Sequence, residues 1–267
     1  MLLTNTGNLI VSSRKSGAIV SSFIDQEKLS IEDGYSIQNL IVNDATEPFG
    51  KLIGWKMGAT NEQAMKGLNL KTPFYGPLFD THCLSSSSRI SLKSLSAFKA
   101  CEAEFLFIMK NDLVKKDNGD DYTEDEVFDS VEYICPAIEI ASSRFTNLTP
   151  GLIIADCALN AVFLYDHKIS KDDIKDYKSL ENAITTIEIN DQEVVRNFGT
   201  NVLGNPVTSL TFLVNALNRD GLYLKKGDVV LSGACSAYKT LQGGDKLVVK
   251  FNQLIDRELD VTLFIDE

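Results

Sequence analysis

Apolar residues dominate the stretch Lys99–Lys110, which the pattern predicts to be a buried β-strand. Side chains alternate between the two faces of a strand, and the odd-numbered positions over 101–109 are all apolar. The even-numbered face is apolar as well, except for Glu102 and Glu104. A second apolar run over Ile134–Ala141 predicts another strand that is buried on both faces.

The remaining patterns predict a strand-rich chain with helices at its periphery. Leucine and valine repeat at helical spacing over Pro206–Asn218, which is the clearest helix. The segment TPFYGPL at 72–78 is rich in turn residues and is expected to be a turn. Further predicted elements are helix-compatible spacing over 18–44, a strand at 51–57, a helix at 61–67 capped by Thr60 or Asn61, a helix near 124–132, a hairpin at 184–195 around Asn190 and Asp191, a turn at 226–228 leading into the strand VVLSG, and two final strands around a turn near 252–257.

No β-α-β alternation is long enough for a doubly wound sheet, so we expect an α+β fold. We predict an N-terminal helical segment over 1–50 and a catalytic, β-rich domain over 51–267, together forming one structural unit. Neither an internal repeat nor a low-complexity linker divides the 267 residues.

Charge and composition narrow the function classes. The formal net charge of −11 argues against nucleic acid as a partner, because phosphate binding needs clustered lysine and arginine. No apolar run approaches the roughly 18 residues of a membrane helix, and we read no secretory signal. The five cysteines form no C-x-x-C pair and predict buried free thiols in a reducing, cytoplasmic compartment.

Three carboxylates stand out because each lies alone in an apolar strand. Glu102 and Glu104 point the same way, and Glu139 is the only charge of its strand. Unpaired buried carboxylates are costly, so a positive group is expected beside them. One hard divalent cation such as Mg²⁺ or Mn²⁺ would satisfy all three. Salt bridges to Arg144, Lys99 or Lys56 are the alternative, and the spacing alone does not choose between them.

Lys56 is a single cation in the apolar strand LIGWKMG, between two glycines. Burial disfavours an ammonium ion, which would suit Lys56 to proton transfer; the alternative is an edge lysine whose head reaches solvent. The two histidines, His82 and His167, are not spaced as a ligand pair, so each is expected to be a loop or surface residue.

Eight segments in register resemble one known family. The chain resembles the 2-keto-4-pentenoate hydratase and 4-oxalocrotonate decarboxylase family, within the fumarylacetoacetate hydrolase superfamily, over roughly residues 33–262. The matching segments are DGYSIQ (33–38), GWKMGATN (54–61), TPFYGPL (72–78), EAEFLF (102–107), PAIEIASSR (136–144), IADCALN (154–160), GNPVTSLTFLVNAL (204–217) and KKGDVVLSG (225–233).

The resemblance implies a fold, a metal site and an active-site lysine. The family's E-x-E strand and later glutamate fall on Glu102, Glu104 and Glu139, which would bind Mg²⁺ or Mn²⁺, and its active-site lysine falls on Lys56. The implied fold is a mixed β-roll or barrel-like core with flanking helices, in a homo-oligomer. Residues expected to bind the substrate, a small 2-keto or 2-hydroxydienoic acid, are Phe74, Tyr75, Arg144 and Ser232.

The resemblance implies the site residues more specifically than it implies the reaction. We favour a hydratase that adds water to a 2-hydroxy-2,4-dienoate; a 4-oxalocrotonate-type decarboxylase, a related C–C hydrolase and a catalytically silent oligomer partner are the alternatives. The chain departs from the family pattern around the site, with Phe74 where many hydratases carry an acid. The other departures are Ser142, Cys157, Leu159 and Asn160.

Overall fold

The computed structural model describes residues 2–20, 29–44, 49–95, 98–174 and 176–267. Its helices are α1 (Leu2–Ser16), α2 (Ile31–Asp44), α3 (Glu62–Gly67), α4 (Glu124–Asp129), α5 (Pro150–Ala155) and α6 (Pro206–Arg219). Its strands are β1 (Leu52–Gly58), β2 (Phe74–Phe79), β3 (Cys83–Leu84), β4 (Ser88–Ser91), β5 (Phe98–Met109), β6 (Val131–Ser143), β7 (Asn160–Tyr165), β8 (Ile169–Ser170), β9 (Ile184–Ile189), β10 (Gln192–Phe198), β11 (Val229–Ala234), β12 (Lys239–Thr240), β13 (Lys246–Asn252) and β14 (Leu259–Asp266).

Two sheets form the body of the molecule. The larger has the strand order β2-β1-β11-β5-β6-β7-β3, with β12 on β5 and β8 on β6, and it mixes parallel and antiparallel pairs. The smaller has the order β10-β9-β13-β14-β4. The prediction of an α+β fold with a mixed, barrel-like sheet core and peripheral helices is therefore confirmed.

The main hydrophobic core lies between the two sheets. It takes the odd-numbered side chains of β5, from Cys101 to Met109, as the alternation predicted. Phe105 meets Phe251 of β13 edge-on, with ring centroids 5.0 Å apart. Because the odd face fills this core, the even face of β5, with its glutamates, is turned to the other side of the large sheet.

Helices α1 and α2 pack on the large sheet beside α5, where Ile10, Ile37 and Leu152 share a small core. The proposed division at residue 50 stays a prediction. The helix expected over 18–44 is interrupted: α2 begins only at Ile31, and 21–28 lie outside the described residues. No helix of the described residues is long and apolar enough to cross a membrane.

The expected turn at 72–78 is wrong, because residues 74–78 belong to the buried strand β2. Strand β2 lies at the edge of the large sheet. Proline lacks a backbone N–H, and an edge strand tolerates Pro77 because one side of it makes no strand-to-strand hydrogen bonds. Gly76 is also required there, since a Cβ would lie 2.6 Å from the Cβ of Ala158.

The other predicted elements are confirmed with small shifts of their ends. Asn190 and Asp191 join β9 to β10 with φ of 54° and 64°, as a tight hairpin turn requires. Asn205 caps α6, and Asn61 rather than Thr60 caps α3. The helix near 124–132 ends at Asp129, because β6 begins at Val131.

Candidate metal centre and active site

Strand pairing brings the three glutamates together. In the antiparallel pair β5–β6, Glu102 lies directly opposite Glu139, and Glu104 is two residues further along the same face. Like charges directly opposite each other destabilise a strand pair. One carboxylate oxygen from each of the three lies within 4.8 Å of the others. The register of the sheet has thus concentrated three acids at one point.

Burial makes this cluster electrostatically unusual. Glu104 and Glu139 are completely buried, and Glu102 is partly buried. Burial, with a smaller contribution from the neighbouring Glu139, raises the pKa of Glu102 to about 7, although Lys56 opposes the shift. Burial and Glu139 also raise the pKa of Glu104 well above its usual value. Both shifts show that a positive charge would be stabilised here.

Lys56 supplies part of that charge. Its Nζ donates a short hydrogen bond to Glu139 Oε2 and a longer one, 3.3 Å, to the carbonyl oxygen of Ala158. Burial alone would lower the pKa of Lys56, but the surrounding carboxylates outweigh burial and raise it. The ammonium form is therefore favoured, opposite to the expectation from burial. The predicted salt bridge from Glu139 to Lys56 exists, whereas Arg144 and Lys99 make none among the described residues.

A β-bulge in β11 holds the third carboxylate. The register between β11 and β5 shifts after Leu231, and the Gly233 N–H donates to Glu104 Oε2 at 2.8 Å. Gly233 has φ of +92°, and a Cβ there would lie 2.3 Å from Thr60 Oγ1. Only glycine fits this position, so the bulge that fixes Glu104 depends on it.

A divalent cation fits the donor set. Among the described residues, buried Glu104 Oε1 has no hydrogen-bond partner. When ionised, the three glutamates and Lys56 carry a net charge of −2, which one divalent cation would balance. Carboxylate oxygens are the ligands that Mg²⁺ and Mn²⁺ prefer. The residues present are therefore suited to hold such an ion.

A cavity of about 570 Å³ opens beside Glu102. Among the described residues that line this cavity, Glu102 is the only charged one. The polar lining is neutral and comprises Thr60, Asn61, Gln63, Asn197, Asn201, Ser236 and Tyr238. A small organic molecule can thus reach the outermost carboxylate of the cluster from a mostly uncharged chamber.

Two curated relatives cover most of the chain. The TodF product hydratase of Pseudomonas putida strain F1 is 30% identical over 222 residues, which are 82% of this chain and 80% of that protein. The 4-oxalocrotonate decarboxylase of Pseudomonas putida is 28% identical over 232 residues, or 86% of this chain and 85% of that protein. The chain belongs to the family of 2-keto-4-pentenoate hydratases and 4-oxalocrotonate decarboxylases. No family model matches it.

Solved structures agree on the fold. The 4-oxalocrotonate decarboxylase from Pseudomonas putida G7, complexed with magnesium and adipate, has a TM-score of 0.88 at 22% identity and covers 99% of this chain and 97% of its own. Solved members of the fumarylacetoacetate hydrolase family share the fold more distantly. This chain therefore has the fold of the fumarylacetoacetate hydrolase superfamily, as the resemblance implied.

The residues that family resemblance suggested for substrate binding occupy different places. Phe74 packs against the Cα of Gly58 and joins a small apolar cluster with Ala158. Tyr75 lies on the opposite face of β2, where its ring meets Trp55 edge-on. Neither is among the residues that line the cavity. The Tyr75 hydroxyl donates a short hydrogen bond to Asp220 Oδ2, and its role in substrate binding stays a prediction.

Ser232 and Arg144 are buried, and neither is among the described residues that line the cavity. Ser232 Oγ accepts from the Phe105 N–H and donates to the Gly233 carbonyl, so it supports the bulge beside Glu104. Arg144 follows β6, and its Nε and Nη1 are buried without a hydrogen-bond partner among the described residues. Burial, together with Arg14, lowers the pKa of Arg144 to about 10.

The sequence did not identify two residues near the cluster as functional: Asn160 contacts the cluster directly, and Arg14 reaches it only through its own contacts with Asp156 and Asn160. Asn160 Nδ2 donates to Glu139 Oε1 at 2.9 Å, and Arg14 is ion-paired with Asp156 at 2.6 Å. In the sequence, Asn160 is only a departure from the family pattern. Arg14 gave no signal, because a basic residue near the end of a helix is ordinarily exposed.

His82 is half-buried and contacts Asn160, with Nδ1 3.3 Å from Oδ1. Burial and the nearby guanidinium of Arg14 lower the pKa of His82 to about 3, so the ring is neutral. In the tautomer with the proton on Nδ1, His82 donates a hydrogen bond to Asn160 Oδ1. The Asn160 Nδ2 group then faces Glu139. His82 is therefore not a ligand of the cluster.

Proposed function

We propose that this chain is a divalent-metal-dependent hydratase that adds water to a 2-hydroxy-2,4-dienoate and releases a 4-hydroxy-2-keto acid. The main support is the cavity beside the buried cluster of three glutamates, where Glu102 is the only charged residue of the described lining. Hydratases also stand among the curated relatives, including a 2-hydroxyhexa-2,4-dienoate hydratase. An intact carboxylate cluster argues against a silent oligomer partner, which has no need of it.

Glu102, Glu104 and Glu139 would hold one Mg²⁺ or Mn²⁺. The bound ion would supply a Lewis acid for the oxygens at the C1–C2 end of the substrate. Glu102 faces the cavity, while Glu104 and Glu139 lie deeper, and Gly233 and Asn160 hold those two carboxylates by hydrogen bonds. These contacts keep the oxygens in place before the substrate arrives.

Lys56 is the candidate acid–base residue. Its ammonium is buried and paired with Glu139, and we propose that it donates a proton or holds the substrate carboxylate. In hydration the 2-hydroxyl loses a proton and C5 gains one, which gives a 2-keto acid with an electron-poor C3–C4 double bond. Water then adds across that bond, with its hydroxyl on C4 and a proton on C3. The role of Lys56 in either proton movement is a proposal supported by its position and by the family resemblance.

The cavity lining favours a substrate with one carboxylate. A second carboxylate at the far end would enter a chamber without a lysine, arginine or histidine among its described lining residues. An unpaired carboxylate buried in this way costs at least about 1–2 kcal/mol, or roughly tenfold in kcat/KM. We therefore expect the substrate to have an apolar distal end. Phe74 packs behind the lining residue Gly58, and its influence on the shape of the pocket or its lid stays a prediction.

The decarboxylase activity is the second candidate. A curated decarboxylase is 28% identical to this chain, and the solved decarboxylase matches its fold with a TM-score of 0.88. Hydration and decarboxylation can share one dienolate intermediate, so the carboxylate cluster does not separate them. The residues at the far end of the cavity must do so.

An ultraviolet assay distinguishes the two reactions. 2-Hydroxypenta-2,4-dienoate and 2-oxohex-3-enedioate are each supplied with Mg²⁺ or with EDTA, and the products and CO₂ are analysed. We expect Mg²⁺-dependent hydration and a kcat/KM at least about tenfold higher for the monocarboxylate. A preference for the dicarboxylate, with CO₂ as the main product, would replace the hydratase assignment by the decarboxylase.

Assembly and location complete the proposal. We propose a homo-oligomer, as the family resemblance implies, which light scattering after gel filtration will test. We also propose a cytoplasmic location, and the five cysteines, all free in the structure, fit a reducing compartment. Arg144 and Ser232 stay predictions as substrate contacts: Ser232 bonds to the backbone of Phe105 and Gly233, whereas Arg144 Nε and Nη1 have no hydrogen-bond partner among the described residues.

A further inference from the structure

The segment between α5 and β7 has an uncommon backbone. Cys157, Ala158 and Leu159 have φ of 53°, 52° and 63°, and none of them is glycine. Three successive residues in the left-handed region are each unfavourable for side chains with a Cβ. All three are buried. We call residues 157–159 the left-handed turn; such a turn persists only where its surroundings hold it.

Arg14 of α1 spans both ends of this turn. Its Nε donates to Asp156 Oδ1 at 2.6 Å and its Nη2 to the Asp156 carbonyl at 2.8 Å. Its Nη1 donates to the carbonyl of Asn160 at 2.9 Å. The Arg14 side chain is only 3% exposed, and that of Asp156 is fully buried. One planar guanidinium thus ties the residue before the turn to the residue after it.

The inner side of the turn faces the reactive cluster. The Ala158 carbonyl accepts a hydrogen bond from Lys56, and the Asn160 amide donates to Glu139. The turn is seated on β2 at Gly76, where a Cβ would meet both Cys157 and Ala158. The segment that Arg14 secures therefore contacts Lys56 through the Ala158 carbonyl and Glu139 through the Asn160 side chain.

We propose that Arg14 is a positioning residue for the carboxylate cluster. Through the left-handed turn and Asn160, it fixes the direction of the Glu139 carboxylate and the seat of Lys56. The three donated bonds need the fork of a guanidinium, which a lysine ammonium cannot reproduce. The inference rests on the proposed function only for its catalytic consequence, because the effect on metal binding holds whatever the substrate is.

Arg14→Lys tests the proposal with its charge retained. Mn²⁺ affinity is measured by calorimetric titration, and kcat and KM with 2-hydroxypenta-2,4-dienoate in saturating Mg²⁺. We expect a loss of about 10–100-fold in Mn²⁺ affinity, as is typical for residues that orient metal ligands, with kcat reduced more than KM is raised. Arg89→Lys is the control, since Arg89 pairs with Asp266 on the exposed surface at 2.8 Å; its Mn²⁺ affinity should stay at the wild-type value.

A double-mutant cycle with Asn160→Ala separates positioning from general destabilisation. If Arg14 acts through Asn160, Arg14→Lys should weaken Mn²⁺ binding much less in the Asn160→Ala background than in the wild type. Wild-type Mn²⁺ affinity in Arg14→Lys, or fully additive losses, would overturn the proposal. If Arg14→Lys does not fold, Asn160→Ala decides alone, and unchanged Mn²⁺ affinity in that variant overturns it. Lack of dienoate turnover by the wild type would refute the hydratase function and leave these titrations interpretable.

Discussion

Replacing Lys56 with methionine tests how charge is balanced at the cluster. Among the described residues, Lys56 is the only lysine or arginine paired with the three glutamates, and it is 3% exposed. Methionine keeps much of the aliphatic length but removes the ammonium. Glu139 then loses its ion-pair partner, while the mutual repulsion of the carboxylates remains.

The loss in unfolding free energy follows from proton uptake. Without the ammonium, the metal-free folded protein can relieve the repulsion by binding one more proton, on a glutamate whose ordinary pKa is 4.5. Holding that proton at pH 7 costs about 3.4 kcal/mol, because about 2.5 pH units at about 1.36 kcal/mol each must be overcome. At pH 5 the cost falls to about 0.7 kcal/mol. The value at pH 7 agrees with the roughly 3–5 kcal/mol for breaking a buried ion pair.

The assay is urea unfolding in EDTA at pH 7 and pH 5, together with dienoate turnover in Mg²⁺. Lys56→Met should lose stability mainly at pH 7 and should have no measurable turnover, while it still binds Mn²⁺. Lys250→Met is the control, because Lys250 pairs with Glu188 at 2.7 Å in the smaller sheet, away from the cluster. That partly exposed pair should contribute at most about 1 kcal/mol at either pH, with full activity.

Two outcomes would refute this reasoning. An equal loss of stability at pH 5 and pH 7 would show that Lys56 does not balance the charge of the carboxylates. Full turnover by Lys56→Met would remove Lys56 from the chemistry.

Three further predictions concern the surroundings of the cluster. Gly233→Ala should lose stability and at least about tenfold in Mn²⁺ affinity, because the new Cβ displaces the bulge from Thr60. The control, Gly227→Ala, has a similar left-handed φ but open space around it. It should lose about 1–2 kcal/mol of unfolding free energy and keep its Mn²⁺ affinity. The pKa of Glu102 is raised from 4.5 to about 7 on folding, so metal-free stability should fall as pH rises through this range while Mn²⁺ affinity increases, and pH-independent unfolding in EDTA would contradict the shift. Phe74→Ala should reduce the preference for monocarboxylate over dicarboxylate substrates, measured as a ratio of kcat/KM, and an unchanged ratio would remove Phe74 from substrate selection.

The carboxylate cluster could be predicted from the sequence because its signal is local. Glu102, Glu104 and Glu139 each interrupt an apolar strand, and Lys56 does the same in β1. Side-chain alternation then places the first two on one face without knowledge of the fold. The elements that carry these residues were predicted for the same reason.

The supports of the cluster could not be predicted because they depend on distant parts of the chain. Glu102 lies directly opposite Glu139 because of the strand register. Where both faces of a strand are apolar, the sequence pattern specifies that register poorly. Arg14 and Asp156 are 142 positions apart in sequence. The β11 bulge at Gly233 depends on the packing of Thr60. None of these contacts leaves a periodic trace.

Strand β2 shows the opposite failure. Glycine and proline at 76–77 indicated a turn, because local preference was the only information available. In the folded protein Pro77 lies on an edge strand and Gly76 leaves room for the left-handed turn. Tertiary packing therefore overrides the local preference.

The central claim is that Glu102, Glu104 and Glu139 bind one divalent cation. Anomalous diffraction from crystals grown with Mn²⁺ tests it most directly. We expect a single strong anomalous peak with one oxygen of each glutamate at about 2.1 Å from it, and Lys56 outside the coordination sphere. A cluster without anomalous density at saturating Mn²⁺, or a peak bound by other residues, would contradict the claim.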